Sequence, residues 1–404
     1  MLLLNIRNTS ILILFILGIN CIFTIGYAHN DSSVNNLEPK NYLQGVNLGN
    51  ALEAPREGAW GVTLKEFYFQ SIKEAGFSLI RIPIRWNAHA KVAAPYTIET
   101  EFFNRIDWAV NHSLSRGLVT IINIHHYEAL MTNPQAHKER FLALWHQIST
   151  HYQNYSENLY FELLNEPTYD LNGSLWNQYL QEAIEIVREL NPQRTIIIGP
   201  TNWNNIYDLS MLSLPEDDHN ILVTFHYYSP FHFTHQDAKW VSGSDQWSGT
   251  TWNGTDSEKA AIRQDLDYAA QWAKDHNRPL LLGEFGAYQE ADMDSRVRWT
   301  DFVAREAEKR NISWAYWEFC SGFGIFKLGN NKWRIELLQA LLPESPILPT
   351  TKSKSTSSIL TTSKSSSISM TSTTDSTMNT TNNTGFLFSL ITVLFSTIIY
   401  RKRK

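Results

Sequence analysis

The chain is nearly devoid of cysteine: Cys21 and Cys320 are the only two among 404 residues. Two thiols exclude a disulfide framework and a thiolate metal centre, both of which need more. No block of Lys or Arg interrupts the central region and the net charge is −6, so no nucleic-acid partner is expected. A glycine-rich phosphate loop is also missing, because GVNLGN (residues 45–50) spaces its glycines wrongly for a dinucleotide fingerprint. Apolar and aromatic side chains, by contrast, are plentiful. The chain is 43% hydrophobic with 14 Trp, ample for a large core, and Trp is also the side chain that best lies flat on a sugar ring.

The two ends differ from the middle. Residues 1–28 place Arg7 ahead of an apolar stretch and small or aromatic residues before His29, the pattern of a secretory signal cleaved near Ala28, with an uncleaved anchor as the alternative. Residues 346–384 turn to Ser, Thr and Lys without hydrophobic periodicity, which reads as a disordered stalk. Residues 385–400 form an apolar run stopped by the basic tail 401–404. This is expected to be a transmembrane segment with its tail in the cytoplasm and the rest of the protein anchored outside the cell; a processed sorting signal is the rival reading. Seven basic residues and only Asp375 as an acid lie after Thr351, so the remainder is more acidic than the whole and suits a neutral ligand better than a phosphorylated one. Sequons stand at Asn111, Asn154, Asn172, Asn253 and Asn311.

Between residues 38 and 343 short β-branched runs alternate with amphipathic stretches, the order of a parallel sheet with crossover helices. Strands are expected at 44–48, 78–84, 118–124, 159–164, 194–199, 221–226, 279–283 and 313–318. Eight strand and helix pairs predict an α/β fold, the (β/α)8 TIM barrel, with a doubly wound open sheet as its rival. The helix faces are read as Phe102, Ile106, Trp108 and Val110, and as Leu175, Tyr179, Ala183, Ile186 and Val187.

In such a barrel the residues at the strand C-terminal ends converge on one face. Glu166 in LLNEP and Glu284 in LLGEF each follow an apolar strand, where a carboxylate is costly unless used or paired. Two facing carboxylates suit glycosidic bond cleavage, one as proton donor and the other as stabiliser or nucleophile. Asn165 is placed to bond a sugar 2-hydroxyl. Arg81 and Tyr228 would hold Glu284, with Arg81 lowering its pKa. His125, His126 and His226 are read as hydroxyl ligands or core residues; a metal site is the weaker alternative, because the acid pair already supplies a mechanism, and no metal or cofactor is expected. Trp317 would form an aromatic floor flanked by Trp203 and Trp240, leaving sugar-rim hydroxyls to Asn50, Glu53 and the histidines.

Seven motifs in this order carry a resemblance to a known family: GVNLGNALEAP (45–55), IRIPIRW (80–86), INIHHYE (122–128), FELLNEP (161–167), FHYYSPFHFTH (225–235), LLGEFGAY (281–288) and SWAYWEFCSGFGIF (313–326). Over the catalytic region the chain resembles glycoside hydrolase family 5, the cellulase family, and its wording is similar to thermophilic bacterial endoglucanases that also accept mannan. The resemblance implies Glu166 as acid/base, Glu284 as nucleophile and a retaining outcome. It further implies Arg81, His125, Asn165, His226, Tyr228 and Trp317 as the supporting shell, and Asn50, Glu53, His126, Trp203 and Trp240 as cleft-lining positions. The expected activity is that of a monomeric endo-β-1,4-glucanase acting on a polysaccharide, with mannan or glucomannan as an alternative substrate. A non-catalytic surface carbohydrate-binding protein is the reading from another class.

Overall fold

The computed structural model describes residues 41–349. The signal, most of the stalk, the apolar run 385–400 and the tail 401–404 lie outside the described residues. Among the described residues no helix is long and apolar enough to cross a membrane.

Eight strands close into a parallel barrel in chain order. They are β1 (Gln44–Asn47), β2 (Leu79–Ile82), β3 (Val119–Asn123), β4 (Leu159–Glu162), β5 (Ile196–Ile198), β6 (Ile221–Tyr227), β7 (Leu280–Phe285) and β8 (Ser313–Tyr316). β8 closes on β1 by pairing Trp314 with Gln44 and Tyr316 with Val46. Six of the eight strands are one to three residues shorter than the apolar runs, since pairing stops where the chain turns into the loops, while β6 and β7 are each one residue longer.

Side chains alternate across each strand, so residues two apart share a face. The inward face begins apolar, in a small cluster of Leu79, Ile121, Ile197, Leu222, Leu281 and Ala315. One step further along the same strands that face becomes polar: Arg81 follows Leu79, Asn123 follows Ile121, Glu162 follows Tyr160 and Thr224 follows Leu222, all buried. The outward faces pack against the surrounding helices in a much larger cluster. The barrel is therefore plugged by apolar side chains below and opens through a polar layer above.

The helix faces are rotated slightly from expectation. On the helix Thr100–Leu114 the buried residues include Phe102, Ile106, Ala109 and Val110, while Trp108 lies at the edge, its ring covered by the Arg105 guanidinium at 4.0 Å. On the helix Gly173–Leu190 the buried face is Trp176, Tyr179, Leu180, Ala183, Ile184 and Val187, and Leu175 and Ile186 are only half-buried. The fifth crossover departs more. After β5 the chain makes a four-residue helical turn, Thr201–Asn204, and a 3-10 helix, Ile206–Met211, in place of a long helix. Asn202, Trp203 and Asn204 have φ of 55°, 61° and 54°, left-handed conformations that disfavour a continuing helix.

Candidate active site

Arg81 is the hub of the polar layer. Its Nε and Nη2 donate to the two oxygens of Glu162 at 2.6 and 2.8 Å, Nη1 donates to Glu284 at 2.7 Å and to Asn47 at 2.8 Å, and Nη2 also reaches Asn165 Oδ1 at 2.7 Å. Burial works against the guanidinium charge, but Glu162 and Glu284 keep it protonated. With every side of its planar fork engaged, Arg81 fixes the relative positions of β2, β4 and β7.

Glu284 is aimed by a bulge. Phe225 pairs with Leu282, whereas the next residue, His226, pairs with Glu284, so Gly283 is the extra residue on β7. A Cβ at Gly283 would stand 2.5 Å from Thr224 Oγ1, which leaves room for glycine alone. The carboxylate so aimed accepts from Arg81 on Oε1 and from the Tyr228 hydroxyl at 3.0 Å on Oε2. Sequence reasoning expects Arg81 to lower its pKa; instead burial pushes Glu284 up, with His226 and Arg81 opposing and Glu166 adding to the rise. Desolvation outweighs one guanidinium that Glu162 already shares.

Glu166 sits directly after β4 with φ 49°. Its Oε1 lies 2.7 Å from Nδ1 of His226, and that same nitrogen is 3.6 Å from Glu284 Oε2. About a quarter of the Glu166 side chain is exposed to the cleft, 26% against 6% for Glu284. Burial raises its pKa to about 7, Arg81 pulling it down and Glu162 pushing it up. His226 is held down to about 4, chiefly by burial, and is a neutral imidazole. Tyr228 is pushed well above the usual phenol range by burial and by Glu284, so it remains a donor. Donor atoms of Glu166, His226 and Glu284 lie within 4.8 Å of one another. That spacing suits a cation, but Arg81 already brings a positive charge to the group, and the imidazole is spent on Glu166.

The rings of His125, His126 and Trp317 are neighbours, His125 lying 4.6 Å from His126. The Trp317 ring lies nearly parallel to His125, with centroids 5.9 Å apart. Asn123 Nδ2 is 3.0 Å from His125 Nδ1, and burial keeps that ring neutral, which leaves its proton on Nε2. His126 is half-buried with φ 53°, edge-on to Trp60 at 5.3 Å, and burial lowers it to about 4. Trp203 and Trp240 are exposed, each edge-on to a tyrosine, Tyr169 and Tyr288 respectively. Glu53 departs from its expected place on the cleft wall. It is fully buried and accepts from the backbone N–H groups of Asn50 and Ala51, so it shapes the loop that carries Asn50 rather than meeting solvent. Glu318 does the same after β8, accepting from Cys320 N at 2.8 Å and Ser321 N at 2.6 Å. Burial raises Glu53 to about 8 and Glu318 to about 7, and it pushes the buried Cys320 thiol up as well.

Glu162, Asn47 and Asn123 were not singled out by sequence reasoning, although a signal exists for Glu162. A carboxylate inside the strand run LYFELL has the same high cost of burial as the two acids that were picked.

A closed parallel barrel with two carboxylates brought together at the ends of its strands is an arrangement that suits glycosidic bond cleavage. The description Cellulase (glycosyl hydrolase family 5) matches residues 39–322, and the chain belongs to that family. It is 38% identical to endoglucanase H of Acetivibrio thermocellus over 274 residues, 68% of this chain but 29% of that protein. It is 28% identical to endoglucanase B of Clostridium cellulovorans over 78% of this chain and 77% of the relative. The chain spans only about a third of the first two curated relatives, 29% and 35% of their lengths. Among solved structures, endoglucanase Cel5A of the hyperthermophile Thermotoga maritima is 51% identical with a TM-score of 0.73, covering 75% of this chain and 97% of that one. Structures of the same enzyme exist in complex with mannotriose and with cellobiose.

Proposed function

We propose that the protein is a retaining endo-β-1,4-glucanase that cleaves β-glucan by double displacement. The observation that carries this reading is the proximity of Glu166 and Glu284, whose nearest carboxylate oxygens lie within 4.8 Å. Retaining glycosidases separate their carboxyl groups by about 5–5.5 Å and inverting ones by about 6.5–9.5 Å, to admit a water.

The environments divide the roles. Glu284 is locked between Arg81 and Tyr228, with its charge matched and its oxygens fixed, as a nucleophile requires. Glu166 is open to the cleft, lacks a direct guanidinium contact and titrates at about 7, as a general acid requires. In the first step Glu284 attacks the anomeric carbon while Glu166 gives its proton to the departing glycosidic oxygen, leaving a glycosyl ester. In the second, Glu166 takes a proton from water, whose oxygen displaces Glu284, and configuration is restored. Asn165 has its oxygen committed to Arg81, so its amide nitrogen, which also bonds Glu166, is the end left to donate to a sugar 2-hydroxyl. Trp317 supplies the apolar floor.

The test is a pair of substitutions. Glu166→Gln is expected to abolish cleavage of unactivated glucan while sparing the first step on an aryl glycoside with a good leaving group, and Glu284→Ala to remove both. Undiminished hydrolysis by Glu284→Ala would refute the assignment. β-Mannan is a second substrate class, favoured by the similarity to an enzyme solved with both mannotriose and cellobiose. Hydrolysis of carboxymethyl cellulose, lichenan, xyloglucan and glucomannan, with product stereochemistry followed, ranks the two. Secretion and surface anchoring rest on the patterns of residues 1–28 and 385–404, and release of activity by protease shaving of intact cells tests them.

A further inference from the structure

We propose that Asn204 is a positioning residue for this reaction: its side-chain amide donates to Nε2 of His226 and so keeps the imidazole proton on Nδ1, facing Glu166. The inference rests on Glu166 being the acid/base.

Asn204 is fully buried, and its Nδ2 lies 3.1 Å from His226 Nε2, on the far side of the ring from Glu166. Among the described residues it is the hydrogen-bond partner of that nitrogen. The local backbone is shaped to deliver it. Three successive left-handed residues, Asn202 to Asn204, turn the chain back toward the barrel, and Asn205 then bridges to His226 in parallel. The amide packs on Gly199, where a Cβ would stand 2.2 Å from Asn204 Oδ1, so the preceding strand end is hollowed to accept it. Oδ1 itself has no hydrogen-bond partner. A buried asparagine held against one ring nitrogen, with its other end unsatisfied, serves that nitrogen rather than its own solvation.

The orientation of the amide matters because a neutral imidazole has one proton. With Nε2 accepting from Asn204, the proton is on Nδ1 and is donated to Glu166 Oε1. Two consequences follow for the acid/base. As a carboxylate, Glu166 gains a donor at 2.7 Å. As an acid, it finds no acceptor on His226, so its own proton must point elsewhere, toward the cleft and the glycosidic oxygen. Turning the amide over would put the imidazole proton on Nε2 and let Nδ1 capture the acid proton that substrate needs. The groups whose charges bear on His226 are Glu284 on β7, Glu162 on β4, Arg81 on β2 and His125 after β3, with Glu166 in direct contact; the Tyr228 hydroxyl completes the ring of neighbours through Glu284.

The experiment begins with the full wild-type chain labelled with 15N-histidine, the His226 signals being assigned by their loss in a His226→Gln chain. The expected spectrum shows protonated Nδ1 and unprotonated Nε2; protonated Nε2 in the wild type would overturn the proposal without any variant at position 204. In Asn204→Leu the two tautomers should mix and the alkaline limb of kcat/KM on β-glucan should rise by up to about one pH unit, the scale of one hydrogen bond. A uniform loss at every pH with the limb unmoved would mean that the amide merely fills space, and would also overturn it. Glu166→Gln that still hydrolyses glucan would sink the acid/base reading instead, while leaving the tautomer result standing.

Discussion

Glu162 is a charge at the centre of the barrel that touches no cleft surface, yet both of its oxygens are taken by Arg81. Removing one partner of a buried ion pair costs about 3–5 kcal/mol, because the other charge is left uncompensated. Glu162→Ala is therefore expected to destabilise the barrel by that amount, read from urea unfolding, and to weaken catalysis by freeing Arg81 to swing. The acids at 166 and 284 are legible in the sequence because each ends an apolar run inside a motif. Glu162 is less legible because its partner Arg81 lies 81 positions away, and only the closed barrel brings the two together. Glu53 reads as a cleft ligand in the sequence for a related reason: the sequence places it on the right loop but does not tell which way the loop folds. Asn204 carried no signal, since its role depends on three left-handed residues that a string of asparagines does not announce.

The bulge between β6 and β7 decides where the nucleophile points. Adding a methyl group at Gly283 would collide with Thr224 Oγ1, and relief requires shifting the strand that carries Glu284. Displacement of a reacting group by about 1 Å costs about 100-fold in rate. Gly283→Ala is accordingly expected to lower kcat on β-glucan by that order while KM changes little, measured by steady-state kinetics with circular dichroism confirming the fold. Strand positions and the eight-fold alternation were readable from β-branched runs, but the bulge was not, because a register shift depends on both strands. The loop after β5 likewise replaces an expected crossover helix: Trp203 and Asn204 at φ 61° and 54° commit the backbone to a tight turn that leaves the Trp203 ring exposed and buries Asn204.

Among the described residues, burial raises Glu53 to about 8, Glu318 and Glu166 to about 7, and Glu284 in the same direction. Their folded values exceed the unfolded value of 4.5, so the native state binds more protons than the unfolded chain between those limits. Their contribution to stability is complete below about pH 4.5 and is lost as pH rises through about 7 to 8. The buried histidines held below 6.5 oppose this trend at lower pH, so the urea midpoint is expected to fall from about pH 7 to pH 8, and Glu53→Gln should flatten that slope; a midpoint rising with pH in both chains over that window would contradict it. The ordering of the barrel as one body from eight short strands was legible from the alternation of elements, whereas this set of protonated side chains under the loops was not, because burial is a property of the assembled fold.

Cys320 lies 8% exposed beneath the loop after β8, its thiol made less acidic by burial and by the neighbouring Glu318 and Glu53. A thiolate-seeking reagent meets neither access nor charge there while the barrel is shut. In a Cys21→Ser chain, labelling at position 320 would thus act as a clock for opening of the strand closure, ticking at the rate of spontaneous unfolding under fully native conditions.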